Sequence, residues 1–117
     1  MLFRSFVARL YAFGGAEVHM RVACPPLLYG CPYLNFSRSR SLMDLAARRA
    51  ISEMYDRFPE ELEPFLDPSS EEYACMTEKI RARLGLTTLK YQTMPDMVKA
   101  IGLPHEKLCT FCWTGSE

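Results

Sequence analysis

Apolar residues recur at helical spacing at the start of the chain. They share one face, made of Phe3, Phe6, Val7, Leu10 and Phe13. Arg4 and Arg9 fall on the opposite face, so the pattern is that of an amphipathic helix. We therefore predict a helix that packs its apolar face on the core and stops at Gly14-Gly15.

The pattern then changes to alternation, which is typical of a strand. Over Ala16–Ala23, the apolar side chains of Val18, Met20 and Val22 fall on one face. Pro25-Pro26 ends the strand, because proline cannot continue a central ladder. Helix, glycine turn and strand form half of an α/β unit.

A loop and a second helix follow. Residues Leu27–Arg40 predict a long loop, in which Ser37–Arg40 could meet an anion, although a solvated loop explains it more simply. Ser41 as N-cap and Asp44 as a capping-box variant predict a helix from about Leu42 to Arg57. The acidic segment Phe58–Pro68 predicts a loop or a helical turn.

The remaining elements have clearer boundaries. Ser69 or Ser70 caps a helix that runs to Leu84 and ends at Gly85. Its apolar stripe, at spacings of three and four, is Tyr73, Met76, Ile80 and Leu84. Leu86–Tyr91 has strand composition. The last predicted helix, Met94–Ile101, has Thr93 as its cap and Gly102 as its end.

Composition narrows the classes of function. The chain has 117 residues, enough for one domain, and its formal net charge is zero, which argues against a nucleic-acid partner. No apolar run approaches the roughly 18 residues of a membrane span. The segment before Glu17 contains arginines and no acidic residue, as organelle transit peptides do. Its apolar helical face nevertheless favours a core helix. Without a secretory signal, the five cysteines indicate reduced thiols in the cytoplasm.

Candidate chemistry rests on cysteines. Cys109 and Cys112 form a Cys-x-x-Cys pair after a proline-led turn, and Cys31 lies in a distant loop. These three are the candidate metal ligands, and soft thiolates suit zinc or an iron–sulfur cluster. Cys24 is a possible fourth ligand, although a buried core thiol explains it more simply, and Cys75 lies apart on a helix.

The chain offers no recognisable catalytic pattern. Neither His19 nor His105 has a serine or cysteine and an acid in a nucleophile arrangement, although His105 precedes Cys109 by four residues and could be a ligand. A glycine-rich phosphate loop is absent from the sequence. No catalytic residue is therefore assigned.

Three stretches resemble the late part of glutamine amidophosphoribosyltransferases. They are Glu17-Val-His-Met-Arg-Val-Ala-Cys-Pro-Pro26, then Tyr29-Gly-Cys-Pro-Tyr33, and the ending Ala100-Ile-Gly-Leu-Pro104 with Lys107-Leu-Cys-Thr-Phe-Cys-Trp-Thr-Gly115. Such enzymes transfer glutamine-derived ammonia to phosphoribosyl pyrophosphate in the first step of purine synthesis. The stretch Tyr33–Arg40 departs from the family pattern, which puts the acceptor chemistry in question.

The resemblance implies a fold, a cofactor and partners. It implies that residues 1–117 are the C-terminal part of a type I phosphoribosyltransferase domain, an α/β fold of helix–strand units on a mainly parallel sheet, with a cysteine-bearing tail. One branch of the family holds a 4Fe–4S cluster on four cysteines. Cys31, Cys109 and Cys112 match three of them, and the fourth lies upstream in the family. The implied partners are the remaining transferase and glutaminase domains, in a homo-oligomer.

Three hypotheses follow. The first is a fragment of such an enzyme that lacks its catalytic motifs and is inactive alone. The second is a small metal-binding module without catalysis, in which Cys24, Cys31, Cys109 and Cys112 bind zinc. The third is a metal-free domain with reduced core cysteines.

Overall fold

The computed structural model describes residues 2–33 and 45–116, with side chains from residue 4 onward. Within these ranges the fold is mixed α/β, as predicted, with five α-helices and one two-stranded sheet. The elements are α1 Leu2–Ala12, β1 His19–Val22, α2 Ala46–Met54, α3 Glu71–Leu84, β2 Thr88–Tyr91, α4 Met94–Ile101 and α5 Phe111–Thr114. Short 3-10 helices cover Glu63–Leu66 and His105–Lys107. None of the helices in these ranges is long and apolar enough to cross a membrane.

The sheet joins two strands that are far apart in sequence. β1 and β2 are parallel, with His19 opposite Thr88 and Val22 opposite Tyr91. A parallel pair needs a crossover connection, and α2 and α3 lie within it. The predicted alternation of β1 is confirmed, because Met20 and Val22 are half-buried while His19 and Arg21 are exposed. The strand is shorter than the predicted Ala16–Ala23.

Helix α3 was predicted almost to the residue. The Ser70 hydroxyl accepts the Tyr73 backbone N–H at 3.0 Å, which satisfies one donor of the first turn. Gly85 ends the helix with φ at 73°, the left-handed conformation that favours glycine. Met76 and Ile80 of the predicted stripe are buried in the core.

Helix α4 is shorter and is capped at both ends in the same way. The Thr93 hydroxyl accepts the Asp96 N–H at 3.3 Å, and Gly102 ends the helix in the left-handed region. Both caps were predicted, and both are confirmed.

The core lies between α2, α3 and the segments that flank them. Its buried cluster is Leu28, Ala47, Ala50, Ile51, Leu62, Phe65, Met76 and Ile80. The 3-10 helix Glu63–Leu66 contributes Phe65, which makes an edge-on contact with Tyr55. Across the surface of the helix pair, Arg83 forms an ion pair with Glu53.

Helix α2 is shorter than predicted. It ends at Met54, and Tyr55 is already extended, so the predicted end at Arg57 is wrong. Leu45 occupies the N-cap position and makes no side-chain capping bond. The predicted caps Ser41 and Asp44, like the anion-binding candidate Ser37–Arg40, lie outside the residues that the structure describes.

Helix α1 forms where expected, but its apolar face is not a core face. Val7 is buried, whereas Phe6, Leu10 and Phe13 have exposed fractions of 55%, 38% and 85%. The prediction that this face packs on the core is therefore wrong for these three residues. Helix α1 lies against α3, anchored by the Tyr11 hydroxyl on the Gly85 carbonyl at 3.0 Å, and among the described residues these three side chains remain exposed.

Candidate metal centre

Two segments some eighty residues apart in sequence meet at the candidate site. The backbone N–H groups of Leu28 and Tyr29 both donate to the carbonyl oxygen of Cys112, at 3.1 and 3.0 Å. We call the contact between residues 28–31 and residues 109–115 the thiol junction. These two bonds fix the loop that carries Cys31 against the start of α5.

Apolar packing holds the thiol junction together. Leu28 is fully buried within the core cluster. The rings of Tyr29 and Phe111 contact each other in a tilted arrangement, with centroids 6.1 Å apart. Gly115 lies directly under the Tyr29 ring, and a Cβ atom there would come within 2.6 Å of the Tyr29 Cζ. The close approach explains why a glycine is needed after α5, in addition to its φ of 74°.

Arg48 of α2 connects the thiol junction to the helical core. Its guanidinium carbon lies 5.3 Å from the ring centroids of both Tyr29 and Phe58, a distance at which cations attract aromatic rings. Its Nε also donates to the Leu28 carbonyl. The loop is therefore positioned by a side chain of α2 as well as by the tail.

Cys31 and Cys112 are both half-buried. Burial raises the pKa of the Cys112 thiol. The hydrogen bond that it shares with Cys31 and the nearby Cys31 and Cys109 charges raise this pKa further. Cys109 is the exposed member of the group. None of these three residues is in a disulfide.

The other candidate ligands lie elsewhere. Cys24 is half-buried next to Tyr91, whose pKa is raised to about 12 by burial first, and then by the Tyr73 and Cys24 charges. Cys75 is exposed on α3, as predicted for a residue apart from the other cysteines. His105 is exposed in a 3-10 helix. The ring of His19 is held by Thr88 at 2.7 Å and by Glu17 at 2.9 Å.

The donor set of the thiol junction fits a thiophilic metal by chemistry. Cys31, Cys109 and Cys112 offer sulfur alone, which zinc and iron–sulfur clusters both accept. In the described part of the chain, however, no three histidine, cysteine or acidic side chains are arranged to hold a metal ion. The assignment of these three cysteines as metal ligands therefore stays a prediction.

Sequence reasoning missed the residues that build the thiol junction. Tyr29, Arg48 and Phe111 belong to no recognisable sequence motif. The cysteines pointed to the segments of Tyr29 and Phe111, and nothing in the sequence pointed to Arg48. A small cavity of about 90 Å³ beside it was missed too, where Pro26, Tyr73 and Trp113 are among the lining residues. Ligand pockets usually have some 300–1,000 Å³, so this cavity is too small for a nucleotide.

Comparison with known proteins gives one consistent similarity. The chain is 29% identical over 113 residues to amidophosphoribosyltransferases of Mycobacterium bovis and Mycobacterium tuberculosis, and 28% identical to that of Mycobacterium leprae. The alignment covers 96% of this chain but only 16–17% of those enzymes, so the chain spans about a sixth of their length. No family model and no solved structure matches the chain.

Proposed function

We propose that this chain is the C-terminal part of the phosphoribosyltransferase domain of an amidophosphoribosyltransferase. The whole enzyme would transfer glutamine-derived ammonia to phosphoribosyl pyrophosphate and give phosphoribosylamine, in the cytoplasm and as a homo-oligomer. Cys31, Cys109 and Cys112 would be three ligands of a 4Fe–4S cluster, with a fourth from the upstream polypeptide.

One observation carries this proposal: the similarity to the mycobacterial enzymes extends over 113 of the 117 residues. A match confined to the Cys-x-x-Cys pair would indicate no more than a shared metal motif. Here the alignment also takes in the helices and strands that hold the cysteines. The two parallel strands with helices in their connection are what a part of a mainly parallel sheet requires.

The thiol junction supports the ligand assignment. Its backbone bonds and aromatic contacts hold the loop that carries Cys31 against the segment that carries Cys112. A bound cluster would supply a multivalent cross-link between loop and tail, since each thiolate binds iron strongly. The three cysteines would therefore hold the tail in place, and loss of the cluster would reduce stability.

Reconstitution with iron and sulfide tests the assignment. Under anaerobic conditions with a small thiol present as fourth ligand, the chain should take up iron and acid-labile sulfide and turn brown. Cys31→Ser and Cys112→Ser should each lower the iron content and the Tm together. Cys75→Ser is the matched control, because Cys75 is exposed on α3 and is not one of the residues of the thiol junction. Equal iron in all variants would refute the ligand assignment.

The same samples separate the other hypotheses. Zinc at one ion per chain in a colourless protein would favour the zinc module, and no metal at all would favour the metal-free domain. For the enzymatic part of the proposal, the 117-residue chain alone should show no turnover with phosphoribosyl pyrophosphate. A longer protein that contains this sequence and the glutaminase domain should show it. Failure of that longer protein would exclude the proposed activity.

A further inference from the structure

A connected row of polar side chains lies at the start of the sheet and contains none of the residues of the thiol junction. His19 Nδ1 is 2.7 Å from the Thr88 hydroxyl oxygen, and His19 Nε2 is 2.9 Å from Oε2 of Glu17. The Arg21 guanidinium donates to the same Thr88 oxygen at 2.9 Å. A hydroxyl, an imidazole and a carboxylate are therefore connected in the order that nucleophilic catalysis by a hydroxyl requires.

Strand pairing places these groups. His19 and Thr88 are opposite each other in the parallel ladder, and Arg21 follows His19 by two residues, so it lies on the same side of the sheet. Just before them, the Thr87 N–H donates to the Val18 carbonyl at 2.8 Å, and the Val18 N–H donates to the Thr87 hydroxyl at 3.0 Å. Thr88 is β-branched, which restricts its hydroxyl to few rotamers. The fold itself therefore holds the hydroxyl next to the imidazole.

The direction of each bond follows from what each group can donate. A carboxylate only accepts, so His19 Nε2 carries a proton and donates it to Glu17. In the neutral ring Nδ1 is then an acceptor, and the Thr88 hydroxyl donates to it. Arg21 only donates, so its guanidinium lies where it stabilises negative charge that develops on the Thr88 oxygen. His19 is thus positioned as a general base, and Glu17 as the group that orients it.

We propose that Thr88, His19 and Glu17 form a nucleophilic site that hydrolyses activated carboxylic esters. The Thr88 oxygen attacks the ester carbonyl carbon while His19 Nδ1 takes the hydroxyl proton. The tetrahedral intermediate collapses, the bond to the leaving alcohol breaks, and His19 returns the proton to that alcohol, which leaves an acyl-threonine. Water then attacks the acyl carbon in the same way, releases the carboxylic acid and restores the Thr88 hydroxyl.

The charge around the site indicates which esters it accepts. Arg21 and Lys90 are opposite each other in the ladder, and both are exposed. Within the described residues, Lys90 has no hydrogen bond or ion pair. An ester that carries an anionic group supplies the missing counter-charge and is drawn to this face. Because His19 is also exposed, water has free access, and we expect slow turnover confined to esters with acidic leaving groups such as nitrophenols.

The test uses the 117-residue chain with 4-nitrophenyl acetate and with its anionic analogue 4-acetoxy-3-nitrobenzoate. The chain should release the nitrophenol about 100-fold faster than Thr88→Val or His19→Gln, because each variant removes one partner of the proton transfer. Thr88→Val keeps the β-branched shape of the side chain. His105→Gln is the matched control and should leave the rate unchanged, because His105 is an exposed histidine outside this row. The anionic ester should react faster than the neutral one.

Two further readouts separate catalysis from a merely structural role. Peptide mapping of the unmodified chain after rapid acid quench should find an acetyl group on Thr88, and this measurement needs no variant. Glu17→Gln should lower kcat and leave KM unchanged, because Glu17 orients His19 without contacting the ester. The Tm of every variant shows whether it is folded.

Several results would overturn the inference. They are equal rates for the chain and a folded Thr88→Val variant, acetyl groups confined to lysine, cysteine or histidine side chains, and a rate that falls in the His105→Gln control as much as in His19→Gln. Equal rates with the two esters would refute the role given to Arg21 and Lys90. The inference goes beyond the proposed function and does not rest on it. Neither ester assay involves iron or phosphoribosyl pyrophosphate, so failure here leaves that proposal standing.

Discussion

The thiol junction and the apolar face of α1 are both rich in aromatic and aliphatic residues, but the first is buried and the second is largely exposed. At the thiol junction, Leu28 is fully buried and Tyr29 contacts Phe111. Phe6 on α1 and Phe13 directly after it are exposed by 55% and 85%. Similar side chains therefore reach very different degrees of burial.

The difference teaches that burial in this chain depends on directional anchors as well as on apolar content. The thiol junction has two backbone bonds, a cation between two rings and a glycine that permits close approach. Helix α1 has the Tyr11 anchor at its end, but no element within residues 2–33 and 45–116 covers Phe6, Leu10 and Phe13. Contiguous exposed apolar residues of this kind commonly mark a surface that contacts another protein surface.

Truncating one leucine in each region gives the largest contrast. Leu28→Ala should lower the free energy of unfolding by about 3 kcal/mol, because it leaves a cavity in the core cluster. Leu10→Ala should cost less than about 1 kcal/mol, since Leu10 is 38% exposed. Urea unfolding of both variants measures the difference. Equal losses would mean that α1 is packed as tightly as the thiol junction.

Alanine substitutions at two glycines with the same backbone conformation separate the cost of crowding Tyr29 from the cost of backbone strain. Gly115→Ala should cost about 3 kcal/mol, since the left-handed φ adds strain and the new Cβ displaces the Tyr29 ring. Gly102→Ala has a similar φ of 78° and open space around the Cβ, so it should cost only about 1 kcal/mol. Denaturant midpoints of the two variants check this. A difference near zero would contradict the packing of Tyr29 on Gly115.

Removing the Arg48 cation, which contacts the thiol junction from α2, should have a smaller effect on stability. Arg48→Met keeps much of the aliphatic volume but removes the ring contacts and the bond to the Leu28 carbonyl, and should cost about 2 kcal/mol. Arg57→Met, at an exposed position just after α2, is the control and should be nearly neutral. Thermal unfolding compares them. A neutral Arg48→Met would show that the loop is held by the tail alone.

The smallest effect on stability is expected on α1. Phe13→Ser should change the free energy of unfolding by less than about 0.5 kcal/mol, because the side chain is 85% exposed. It should nevertheless reduce any self-association of the chain at high concentration, since it removes the most exposed aromatic ring among the described residues. Sedimentation measurements check the second effect. Unchanged self-association together with a large loss of stability would overturn this view of α1.

Much of the fold could be predicted because its signals are local. Helices α3 and α4 begin at the caps Ser70 and Thr93 and end at Gly85 and Gly102. All four residues bond to neighbouring backbone groups, and such caps are visible in sequence. The alternation of apolar and polar residues in β1 likewise shows which side of the strand is buried and which is exposed. The end of α2 was misplaced because no glycine or proline stands between Met54 and Arg57 to mark it.

The cysteines of the candidate site could be predicted from the sequence, but the residues that position them could not. The cysteines stood out as a residue type, and the structure joins the loop that carries Cys31 to the segment that carries Cys112. The roles of Tyr29, Arg48 and Gly115 depend on contacts between distant segments, for which a single sequence holds no periodic signal. The exposure of α1 was missed for the same reason, because an amphipathic pattern shows which face is apolar and not what covers it.

The parallel pairing of β1 with β2 also has a consequence for the time course of folding. His19 and Thr88 are opposite each other although 69 residues separate them, so the strands cannot pair until a long loop closes. Closure costs entropy before any ladder bond repays it, whereas α3 can form from local bonds alone. The helices should therefore appear first, and the rate-limiting step should be the docking of β1 onto a preformed α3–β2 unit.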